Sequence, residues 1–87
     1  MAGREFRISE ESLPALETYA LLPVRDVRRH ELFSFLAEAV AKPNGVAFEQ
    51  DDDGLRWTWL EHITIVWMLD LAQSELDVVD VWDQDVD

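Results

Sequence analysis

The side chains here that could do chemistry are mostly carboxylates, and their spacing suits contact with a positive surface better than catalysis. Asp51, Asp52 and Asp53 are contiguous, and Asp77, Asp80, Asp83, Asp85 and Asp87 recur every two or three residues around Trp82. Carboxylates strung along a ridge repeat negative charge much as a phosphate backbone does, and so fit the basic groove of a nucleic-acid-binding protein. Trp82 has the character of an anchor, with acids steering the encounter and the ring supplying contact area. The candidate partner-binding residues are Asp51, Asp52, Asp53, Asp77, Asp80, Trp82, Asp83 and Asp85.

The catalytic inventory is thin. The chain has no cysteine, one lysine and two histidines, His30 and His62, and it lacks HExxH, GxSxG and Gly-rich phosphate-loop signatures. Without a nucleophile, base and electrophile that the sequence groups together, the expectation is a protein that is not an enzyme and holds no cofactor. Glu49 to Gly54 places oxygen ligands before a glycine, like a calcium loop. Counted from Glu49, however, the closing twelfth position is Leu60, and the carboxylate of Glu61 comes one place late. No metal is therefore expected. Arg25, Arg28 and Arg29 form a small basic cluster, but inside a strongly negative chain they are expected to pair with its own acids, so direct nucleic-acid contact is excluded.

Charge is segregated along the chain. Residues 1–42 carry six basic and seven acidic groups, whereas residues 43–87 carry only Arg56 against twelve acids, within a total net charge of −12. Such a field repels nucleic acid and anionic membrane and attracts cationic protein surfaces. General adaptation to high salt would spread acids evenly, which this chain does not do. The lack of cysteine suits a reducing compartment, and the N-terminus has no apolar run of the signal-peptide kind, so a cytoplasmic location is expected.

These groups must be positioned by a small core, since 87 residues allow one domain and 48% of them are hydrophobic. Ser9 or Ser12 can cap a first helix through Leu13, Leu16 and Tyr19. Asp26 can cap a second that runs to Ala41 and is stopped by Pro43-Asn44-Gly45. Residues 46–49 and 55–59 alternate around Asp51-Asp52-Asp53-Gly54 as a β-hairpin would, placing Trp57 and Trp59 on one face. The following apolar stretch alternates like a strand, yet Thr58-x-x-Glu61 is a capping box and no turn-forming residue follows Trp59. This predicts a third helix over about Trp59–Leu76, apolar on nearly all sides and therefore buried or at a subunit contact. Residues 77–87 read as an acidic edge strand or as a tail that orders on a partner.

The expected fold is α+β: a helical hairpin, a β-hairpin and a third buried helix forming a domain of residues 1–76, followed by an acidic C-terminal segment, 77–87. The alternative is all-α. The function these features imply is a small acidic binding protein that occludes a basic surface of a partner protein, a nucleic-acid-binding one being the candidate, as an inhibitor of the nucleic-acid-mimic, immunity or counter-defence type. The competing reading is a structural or adaptor subunit binding through the apolar third helix, with a homodimer as a side expectation.

Overall fold

The computed structural model describes residues 5–84. After the short strand β1 (Arg7–Ile8), a 3-10 turn at Glu10–Ser12 leads into α1 (Leu13–Ala20). Pro14 lies in the first turn of α1, where its missing N–H removes no helical bond. Asp26 opens α2 (Val27–Ala41) by accepting the Arg28 amide at 2.9 Å. Four strands complete the chain: β2 (Glu49–Gln50), β3 (Arg56–Trp59), β4 (Ile63–Asp70) and β5 (Glu75–Asp83). They join β1 in one sheet of order β1-β5-β4-β3-β2, in which β1 runs parallel to β5 and the other pairs are antiparallel. The architecture is a five-stranded mixed sheet with two helices packed on one face.

The expected third helix is not formed, and the all-α alternative falls with it. Its residues form the end of β3, all of β4 and the start of β5. The physical reason is burial on both faces. Ile63, Thr64, Ile65, Val66 and Trp67 are all buried, so the run shows no half-exposed alternation and is as apolar throughout as a buried helix would be. The reversal after Trp59 uses no Gly, Asn or Asp. Instead, distant groups satisfy the Leu60-Glu61-His62 turn: Glu31 accepts the His62 amide at 2.9 Å, the Gln84 side chain donates to the carbonyls of Leu60 and Ile63, and Leu60 N–H reaches the Ile63 carbonyl at 2.9 Å. Thr58 does not cap. Its hydroxyl donates to the Ala47 carbonyl at 2.8 Å and accepts the Trp67 indole N–H at 3.0 Å.

A domain boundary between residues 76 and 77 falls inside β5, which is paired to β4 from Glu75 to Asp83. The acidic segment is thus, through Asp83, part of the sheet. Ser9 and Ser12 form no helix cap but tie the 3-10 turn to β5, with Ser12 Oγ accepting the Val78 amide at 2.7 Å. The core is one cluster in which Leu16 and Tyr19 of α1 and Leu32, Phe35, Leu36 and Ala39 of α2 meet Ile63, Ile65, Trp67, Leu76, Val78 and Val81. Trp67 is fully buried, edge-on to Phe35 and Phe48 at 5.3 and 5.8 Å. The apolar run that suggested a dimer is thus consumed within the chain's own sheet.

Candidate functional site

The helices cover only the face of the sheet that carries Ile63, Ile65 and Trp67. Among the described residues no helix lies on the other face. Strand alternation places Thr64, Val66 and Met68 of β4 there, and the register adds Trp59 and Trp82 opposite Thr64, Trp57 and Asp80 opposite Val66, and Asp77 opposite Met68. β3 and β5 are not neighbours, yet Trp57 and Trp82 meet above β4 with ring centroids 5.8 Å apart, edge to face. Trp59 stacks on Trp57 at 6.3 Å and an interplanar angle of 25°. The three rings bury Thr64 and Val66 beneath them while remaining open outward, Trp59 being 52% and Trp82 40% exposed.

One ring of the cluster, Trp57, is held at its edge. Asp51 accepts the Trp57 indole N–H at 3.0 Å, and its other oxygen takes the amides of Asp53 and Leu55. These bonds, the indole's first, hold the Asp51 carboxyl below its ordinary pKa, so it stays charged beside the aromatic surface. Gly54, at φ 86°, closes the turn in a conformation that favours glycine. Within the calcium-like segment, the carboxylate oxygens of Asp51 thus serve its own turn and the indole of Trp57. On the opposite side Asp80 is exposed and accepts the Val81 amide at 2.9 Å, which occupies a donor of β5 beyond its short pairing with β1.

The predicted site residues therefore separate. Trp82, Asp77 and Asp80 lie together on the open face, and Asp51 borders it. Asp52 and Asp53 are exposed at the tip of the β2–β3 turn. Asp83 faces the helices instead, accepting the Tyr19 hydroxyl at 2.8 Å and Arg28 Nη1 at 2.7 Å. Those two bonds lower the Asp83 pKa, while burial first, and then the bond to Asp83, raises that of Tyr19. Asp85 lies outside the described residues. Of the basic cluster, Arg28 is engaged by Asp26 and Asp83, both at 2.7 Å. Sequence reasoning missed Trp57, Trp59 and Glu49 as site residues; the signal was the period-two spacing of the two tryptophans, which puts Trp59 level with Trp82 and Trp57 level with Asp80 across β4.

A second group of polar atoms sits where α2 meets the β3–β4 turn. Ligand atoms of Glu31, Glu61 and His62 lie within 4.8 Å of one another. Both Glu31 oxygens are already engaged by His62, one by its amide and one by Nδ1, so the arrangement reads as an ion pair that fixes the turn.

No protein-family model and no curated protein matches the chain. Among solved structures, a chain of the crystallised toxin-antitoxin complex RelBE2 from Mycobacterium tuberculosis superposes with a TM-score of 0.65 over 97% of this chain and 94% of that one. The two are 14% identical, so what they share is the fold.

Proposed function

We propose that this protein is a non-enzymatic inhibitor that binds a basic partner protein on the open face of its sheet and occludes it. The observation that carries this reading is the cluster of Trp57, Trp59 and Trp82, partly exposed on a sheet face without a helix and bordered by Asp51, Asp77 and Asp80. Exposed tryptophans packed against one another and ringed by one sign of charge have the anatomy of an interface centre, with aromatic anchors inside and steering charges outside. The fold neighbour belongs to a complex of a toxin with its antitoxin, which supports a protein partner for this scaffold. Net charge of −12 supports a cationic one, and the acids along β5 support a partner whose basic surface otherwise holds nucleic acid in the cytoplasm.

The test is affinity capture from the source cells with the natural chain and with a Trp82→Ala/Asp77→Asn/Asp80→Asn variant, each washed at low and high salt. The expected result is a basic protein retained by the natural chain, displaced by salt or added nucleic acid, and lost with the variant. A partner held equally by both chains and resistant to salt would overturn the proposal and make the protein a structural subunit.

A further inference from the structure

We infer that the group this face takes from its partner is an arginine side chain, seated in the pocket between β2 and β3; the inference rests on the basic-partner reading above and names its chemistry. The pocket is lined by Ala47, Phe48, Glu49, Trp57 and Trp59. Its walls are aromatic, and its one ionisable lining group is the carboxylate of Glu49, which is exposed and stands opposite Trp57 in the strand register. Trp59 stacks on Trp57 at 6.3 Å, and half of its surface remains uncovered, leaving a flat platform beside that carboxylate. Ala47 contributes only a methyl group, leaving room for a long side chain.

Among biological cations this combination selects guanidinium. A planar guanidinium stacks on an indole while its N–H fork meets a carboxylate, whereas an ammonium is compact and strongly hydrated and gains less from the ring. The chain itself sets a guanidinium against aromatic rings next to this pocket, where that of Arg56 lies 4.1 Å from the Phe48 ring centroid and 5.1 Å from that of Trp67. The charge of Asp51, held on the Trp57 indole, adds to the attraction.

The experiment titrates the isotope-labelled full chain with blocked Gly-Arg-Gly, Gly-Lys-Gly and Gly-citrulline-Gly, following the indole N–H signals by NMR. The arginine peptide is expected to move the Trp57 and Trp59 signals saturably and to bind about threefold or more tightly than the lysine peptide. Citrulline should leave them in place, and Glu49→Gln should weaken arginine binding by a similar factor. Indole signals unmoved by arginine, equal responses to arginine and lysine, or an undiminished response in Glu49→Gln would each overturn the pocket. The capture experiment is independent of this one. A salt-sensitive partner retained by a chain whose pocket ignores arginine would refute only the pocket, and a pocket that takes arginine in a chain that retains no basic partner would refute only the inhibitor.

Discussion

Glu31 meets His62 twice, at the amide and at the ring, and this sets the proton affinity of the imidazole. The side-chain bond to Glu31 raises the His62 pKa, the charges of Glu31, Glu61 and Asp26 add to it, and partial desolvation opposes it. A histidine raised in the folded state stabilises fully below its unfolded pKa of about 6.5, and the contribution is lost as pH rises through the folded value. The lowered carboxyls of Asp26, at about 2, and of Asp51 and Asp83 act in the opposite window. Their contribution is present above about pH 4 and is lost on further acidification. NMR titration should therefore place the His62 midpoint above about 6.5. Glu31→Gln should return it toward that value and remove the fall in melting temperature that the natural chain shows as pH rises through the His62 transition. A midpoint unmoved by the substitution would mean that Glu31 does not hold the ring.

β5 is the element on which the fold and the candidate site both depend. One face of it gives Leu76, Val78 and Val81 to the core, and the other gives Asp77, Asp80 and Trp82 to the open surface. A chain ending at residue 76 would leave β4 without its longest pairing, so it should show no cooperative thermal transition and should expose Trp67 to water. Val78→Ala, a milder change, should cost roughly 2 kcal/mol in denaturant unfolding, a large part of the stability of so small a domain. Cooperative unfolding of the shortened chain would show that the strand is an appendage. Sequence patterns carried α2, with its Asp26 cap and its Pro43 stop, because those signals are local. They could not settle β4, since the alternation of Ile63, Ile65, Trp67 and Leu69 is filled in by Val66 and Met68, and a strand covered by helices on one side and by tryptophans on the other is apolar throughout, like a buried helix. The same holds for the site. Trp82 stood out as a ring among acids, while the fate of Asp83 depended on Tyr19 and Arg28, which only the folded chain brings near.

At the scale of the whole molecule, the charge segregation along the chain becomes a segregation in space. Between β2 and the end of β5 the only basic residue is Arg56, and its guanidinium lies on the helix side over Phe48 and Trp67. Arg28 pairs with Asp26 and Asp83 on that same side, so Asp51, Asp77 and Asp80 face one another across the sheet with little compensation. Their mutual repulsion works against the fold, while their summed field draws in a cationic partner. Salt should therefore act on the two equilibria with opposite signs. Raising sodium chloride from about 0.01 M to 1 M shortens the Debye length from about 30 Å to 3 Å, which relieves the repulsion and weakens the attraction together. The free protein's melting temperature should rise by about 5 °C, as expected for roughly 1 kcal/mol in a domain of this size, while association with the partner slows. Asp77→Asn/Asp80→Asn should raise the melting temperature at low salt and flatten both dependences. If salt stabilised the natural chain and this variant equally, the acids of the open face would not be the seat of the repulsion. The long-range field would then belong to the molecule's surface as a whole rather than to its candidate site.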